Sequence, residues 1–321
     1  MPATRLSLCA ALAALALAAC SYVEPTAYDD ATCTAPGQVH VLATDEEGAT
    51  AIVLDGEHVY WSSRRGPRRA HVDGGVVVDL MLDHPDHGNP LGSGAPVGGL
   101  AVDGSYVWFG VWGALWRVPR GGGVAEIVRG GLDNSGSARQ LLVDEEYVWW
   151  VDFTYDTLFR FEKRAPADGT YIAAFATTAD EPVALALDGD EVWFGRSAIA
   201  RDGFGQRVVD PSINPRGIEL VGEHAFWTSE TGSIVRFERD GPGREVFAIP
   251  GRPEDITSHD GRLYFALEGE GAGYGEMAVD GTGIAIHPLP DFAGSHAIAV
   301  SDEAVFLVTG AIRSDIVKVC R

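Results

Sequence analysis

Arg139, Arg216, Glu254 and His296 combine chemically capable side chains with a shared place in a repeating pattern. Each stands four residues ahead of a short frame: an apolar residue, a polar turn, then a run of apolar and aromatic residues. The frames of these four open at Val143, Leu220, Ser258 and Val300. Guanidinium groups can grip a carboxylate or phosphate through two parallel hydrogen bonds. An imidazole close to a carboxylate can move a proton, so His296 with Glu254 or Asp255 is the pairing that would suit acid–base work. The chain has no Gly-x-Ser-x-Gly elbow and no His-Glu-x-x-His helix, and no catalytic role is assigned. The same four residues equally fit a solvated polar lining that holds no ligand.

Two other clusters offer chemistry. Arg64, Arg65, Arg68 and Arg69 flank Gly66-Pro67 and could form an anion site, although a hairpin kept soluble by charge reads the same way. Asp83, His84, Asp86 and His87 surround Pro85 in a long connection and include hard and borderline metal ligands. An ordinary polar loop accounts for them as well, and no metal or other cofactor is expected.

The elements that must position these residues come from the repeat. The frame begins at Leu54, Val102, Val143, Leu187, Leu220, Ser258 and Val300, at intervals of 48, 41, 44, 33, 38 and 42 residues. A four-stranded propeller blade takes about 40–45 residues. The expected fold is therefore all-β, a seven-bladed propeller of four-stranded antiparallel blades, with six blades as the alternative if the short unit from Leu187 is incomplete. Turn signals such as Asp73-Gly74, Asp202-Gly203, Asp240-Gly241 and Asp280-Gly281 separate third from fourth strands. The last repeat runs out after three strands, and the unassigned segment Gln38–Ala43 alternates like a strand. It is expected to supply the missing outer strand and close the ring. That closure would bring Cys320 close to Cys33, and a disulfide between them is expected.

The core is legible in two registers. Two residues before each anchor stands Ile52, Leu100, Leu141, Leu185, Ile218, Ile256 or Ile298. The second strands carry Tyr60/Trp61, Trp108/Phe109, Trp149/Trp150, Trp193/Phe194, Phe226/Trp227 and Tyr264/Phe265. Both sets are read as packing between sheets. The fourth position before the anchor is Thr50, Gly98, Arg139, Val183, Arg216, Glu254 or His296, variable where its neighbours are not.

Asn214-Pro215-Arg216-Gly217-Ile218, Arg252-Pro253-Glu254-Asp255-Ile256 and Gly294-Ser295-His296-Ala297-Ile298-Ala299-Val300 resemble the Pro-x-Gly-Ile-Ala-Val entry of NHL and streptogramin-lyase-like propellers. Tyr60-Trp61-Ser62 and Phe226-Trp227-Thr228-Ser229 resemble the YWTD repeat. The likeness covers about residues 38–321. It implies ligand contacts where the inner strands begin, which on this chain are Arg139, Arg216, Glu254 and His296. In the lyases it also implies an acid–base pair that includes a histidine, with a metal nearby.

Residues 1–19 read as an export signal. Arg5 supplies positive charge, Leu6 to Leu17 is an apolar run too short to span a bilayer, and Leu17-Ala18-Ala19-Cys20 follows. This is similar to a bacterial lipoprotein signal, which implies cleavage before Cys20 and acylation of its thiol. Ser21 after the cysteine points to the outer membrane in the resembling family. Residues 20–37 read as a lipidated tether and 38–321 as the propeller. The net charge of −22 argues against nucleic-acid binding.

The expectation is a cell-envelope lipoprotein, monomeric in its folded domain and membrane-bound through its lipid. It would act as a binding or scaffold propeller for a protein, glycan or other anionic partner at the channel-mouth face. The alternatives are a streptogramin-lyase-like or hydrolytic small-molecule enzyme using His296 with an acidic partner, and a purely structural envelope component.

Overall fold

The computed structural model describes residues 27–82, 97–111, 114–129, 138–152, 154–166, 174–178, 182–269, 272–310 and 312–321. Each repeat folds as an antiparallel sheet, because its strands are short, alternate in polarity and meet at glycine-containing turns. The innermost strands of successive sheets contact one another in a closed circuit, the last returning to the first. Among the described residues this makes a seven-bladed β-propeller. Inner strands run Ile52–Asp55, Val97–Val102, Ala138–Val143, Leu185–Asp188, Pro215–Val221, Arg252–His259 and Ser295–Val300. We number the blades one to seven in that order. The six-blade alternative is corrected: blade four is complete, its first three strands only four residues each and its outer strand, Arg207–Val208, two.

The two packing registers hold. All seven aliphatics two before the anchor are buried, and the twelve paired aromatics of the second strands lie in the interior between blades.

Blade seven is built from both chain regions. Val39–Glu47 pairs antiparallel with Arg313–Cys320, whose other edge is Ala304–Thr309. Cys33 and Cys320 form a disulfide, 287 residues apart in sequence with Cα atoms 5.6 Å apart. Lys318, 1% exposed, donates from Nζ to the Ala31 carbonyl at 2.8 Å and to Asp73 Oδ1 at 3.1 Å. That ammonium ties the closing blade to blade one. The tether expected over 20–37 is corrected for its described part. Ala27–Asp30 pairs with Gly74–Asp79 as a fifth strand on blade one, and Ala31 is buried.

On the face that carries the first turns, an electrostatic link recurs. Asp103 Oδ1 accepts the amides of Ser105 and Tyr106, while Oδ2 accepts Trp108 Nε1 at 2.9 Å and meets Lys163 of the next blade at 2.9 Å. Asp144 repeats this with Glu146, Tyr147, Trp149 and Arg201. Asp55 meets Arg120, and Asp188 meets Arg239. At four successive junctions, therefore, a cation ending the third strand of one blade sits on the anchor aspartate of the blade before. Burial works to raise the Asp103 carboxyl, but Lys163 and its other donors outweigh burial and hold it below the ordinary carboxylate range.

Replacing Cys33 and Cys320 by Ser is expected to lower stability by roughly 5–6 kcal/mol, the chain-entropy value for so long a loop, measured by denaturant titration. Asp144→Ala leaves the Trp149 indole N–H without its acceptor and is expected to cost roughly 1–3 kcal/mol in the same titration.

Candidate functional site

The geometry of the mouth starts from a backbone irregularity. In five blades the register shifts near the start of the inner strand: at Val97/Leu100, Ala138/Gln140, Pro215/Ile218, Pro253/Ile256 and Ser295/Ala297. An extra residue there bends the strand and re-aims the side chains beside it. Thr50, Arg139, Val183, Arg216, Glu254 and His296 line one cavity of about 470 Å³, the central channel. Its size suits a small ligand or an inserted side chain. The four predicted residues thus come together from blades three, five, six and seven.

At the mouth the charges alternate. Arg216 bonds Glu230 through Nε at 2.8 Å and lies 3.8 Å from Glu254. Arg252 lies 3.0 Å from Glu254 and 2.8 Å from Glu268. The row Glu230, Arg216, Glu254, Arg252, Glu268 has its two outer carboxylates half exposed and its middle one mostly buried. Burial raises the Glu254 carboxyl, Arg216 and Arg252 pull it down, and Glu268 adds to the rise; the outcome is an elevated value. A side groove of about 680 Å³ continues from this row past residues 290–294. Arg139 stands exposed at the rim.

Below the mouth the wall obeys a different need. An inner strand is a sheet edge, so alternate backbone groups face the channel without a strand partner. Side chains of the preceding blade supply partners. Gln140 Oε1 accepts the Leu185 amide at 2.6 Å. Glu219 Oε1 accepts the Ser258 amide at 3.0 Å and also its hydroxyl. Asp255 accepts the amides of Ile256 at 2.9 Å and Ile298 at 3.1 Å. His296 Nε2 bonds the Ala49 carbonyl at 2.8 Å, crossing from blade seven to blade one. Burial pushes Glu219 up to about 7 and Asp255 up to about 6, and it lowers His296, which favours the neutral ring.

These contacts sort the candidates. Asp255 holds two backbone amides, and among the described residues no hydrogen bond joins His296 to Glu254 or Asp255. The acid–base pairing that the alternative, enzymatic reading would need is not assembled. The arginine quartet is not gathered either. Arg68 is drawn to Glu46, 3% exposed, and to Asp79, while Arg69 donates to the Arg120 carbonyl at 3.0 Å. Arg64 and Arg65 remain exposed beside the closing strand, where the Arg64 amide bonds the Glu47 carbonyl at 2.7 Å. Asp83, His84, Asp86, His87 and Cys20 lie outside the described residues.

Three residues escaped the sequence reading: Glu219, Gln140 and Arg252. Glu219 had a signal, since the residue just before the anchor is otherwise Val53, Ala101, Leu142, Ala186, Thr257 or Ala299.

No protein-family model matches the chain, and no curated protein matches it. Solved structures share the fold. Virginiamycin B lyase from Staphylococcus aureus aligns with TM-score 0.69 and 18% identity, covering 88% of this chain and 98% of its own. The WD40 propeller of Doa1 aligns with TM-score 0.69 and 11% identity, covering 88% and 96%. YCF48, solved with a D1 peptide, aligns with TM-score 0.67 and 12% identity, covering 91% and 99%.

Glu219 and Asp255 titrate higher in the fold than the ordinary 4.5 and 3.8. The folded state therefore binds more protons than the unfolded state between those values and about 7 and 6, so their contribution to stability falls as pH rises through that window. The melting temperature is expected to be higher at pH 5 than at pH 8, and Glu219→Gln, which keeps the acceptor oxygen, is expected to reduce the difference.

Proposed function

We propose that the protein is a lipid-anchored binding module of the bacterial cell envelope. In this reading residues 1–19 export it, acylated Cys20 holds it to the outer membrane, and the channel mouth takes a protein or glycan partner that carries anionic groups. The observation that supports it is the convergence of Arg139, Arg216, Glu254 and His296 from four blades on one cavity. Arg216 pairs on its outer side with Glu230, which is 54% exposed. A carboxylate or phosphate of the partner takes the place of that exposed glutamate at small desolvation cost, while Glu254 and Arg252 keep the guanidinium oriented. The YCF48 propeller, which shares the fold, has been solved with a bound peptide. A lyase-like reaction would require His296 to leave the Ala49 carbonyl and find an acid, so the geometry favours binding over turnover.

The test compares protein purified from cross-linked envelopes. Recovery of the partner is expected to fall roughly tenfold in Arg139→Ala and in Arg216→Ala, the size of a lost charge-assisted contact, with both variants still folded by circular dichroism. Equal recovery from both variants and wild type would overturn the mouth as the binding face. Mass spectrometry of the N-terminal peptide, and release of Cys20→Ser into the soluble fraction, check the anchor independently.

A further inference from the structure

On the turn face, the junction between blades six and seven departs from the four that carry a cation on an anchor aspartate. The position held by Asp55, Asp103, Asp144 and Asp188 is His259 in blade six. The basic residue that ends the third strand of blade seven, Arg321, donates instead to the Ser301 carbonyl at 2.7 Å and lies 5.0 Å over the Tyr264 ring. His259 Nε2 lies 2.8 Å from Asp302 Oδ1 of blade seven and 3.5 Å from Asp260 Oδ2. All three ligand atoms fall within 4.8 Å of one another. Among the described residues, no arginine or lysine pairs with Asp260 or Asp302. Two carboxylates and an imidazole therefore meet where the other junctions place a guanidinium or ammonium.

We propose that His259, Asp260 and Asp302 bind a divalent transition-metal cation that links blade six to blade seven. One nitrogen and two carboxylate oxygens suit a borderline ion such as Zn²⁺ or Co²⁺, with water completing the coordination. Asp260 and Asp302 are 73% and 86% exposed, so a hydrated ion reaches them directly. Binding uses the lone pair of Nε2. The proton that otherwise bridges to Asp302 moves to Nδ1 or, from a charged ring, leaves to solvent. The site faces away from the channel mouth, and its fate is independent of the binding function proposed above.

The test uses the full domain without a polyhistidine tag, stripped with chelator and titrated calorimetrically with zinc chloride. One equivalent is expected to bind and to raise the melting temperature. His259→Gln and Asp302→Asn are expected to lose both the binding and the shift while melting near wild type without zinc. A His84→Gln/His87→Gln variant, which removes the other candidate ligands, is expected to titrate like wild type. The proposal is overturned by the absence of zinc binding in wild type, by equal binding in His259→Gln, or by loss of binding in the His84/His87 variant alone.

Discussion

The structure depends on a seam. Blades two to six are each made from one continuous stretch and blade one takes Ala27–Asp30 besides its own, but the seventh joins Val39–Glu47 to the end of the chain, so the circle exists only while those regions stay paired. Strand pairing alone is a thin guarantee, because the register slips twice between Val41 and Glu46. The seam is reinforced by interactions of different kinds: a disulfide, the buried Lys318 ammonium reaching Ala31 and Asp73, and the buried Glu46 carboxylate held by Arg68. Each joins blade seven or its flanking segment to a distant part of the sequence. Breaking one leaves a buried charge or an unconstrained chain end, not merely one contact fewer.

The channel is where closure and function compete for the same side chains. Seven inner edges face a common axis, and their amides need acceptors away from bulk water. Gln140, Glu219 and Asp255 meet that need from the neighbouring blade, and His296 does the reverse for the Ala49 carbonyl. A polar residue in a propeller channel is therefore not by itself a ligand contact. The cost shows in Glu219 and Asp255, carboxylates that, among the described residues, are held by hydrogen bonds without a cation.

Much of this was legible in the sequence because packing repeats. A large aliphatic two before the anchor, present seven times, and paired aromatics after it, present six times, can do nothing but fill space between sheets, so the copies disclose seven sheets, and the unfinished last copy discloses the seam. Interactions that join one repeat to the next were not legible, since their partners sit at no fixed place in the frame. Arg68 looked available until Glu46 of the closing strand reached it, and the anchor aspartates looked like turn formers until Lys163 and Arg201 of later blades arrived. Ala27–Asp30 offered only a few residues without a hydrophobic period, so its pairing on blade one left no pattern to read.

The ring is nearly regular in its packing and irregular in its charge, and the two properties reside at different positions. Residues two before the anchor are fixed by the interblade core. Residues four before it stand beside the bulge, where side chains enter the channel without disturbing that core. Among them Arg139 stands exposed at the rim, whereas a Cβ at Gly98 would collide with the Ala138 carbonyl and His296 is held by the Ala49 carbonyl. In this chain, the carboxylates of the lining gather on blades five and six, arginines stand on blades three and five, and blades one, two and four offer Thr50, Gly99 and Val183. The mouth thus carries its charged groups on blades three, five and six and uncharged ones on blades one, two and four. A charged ligand entering it meets a preferred rotation about the axis, and the turn-face ion pairs that lock blades one to five hold that orientation rigid before any partner arrives.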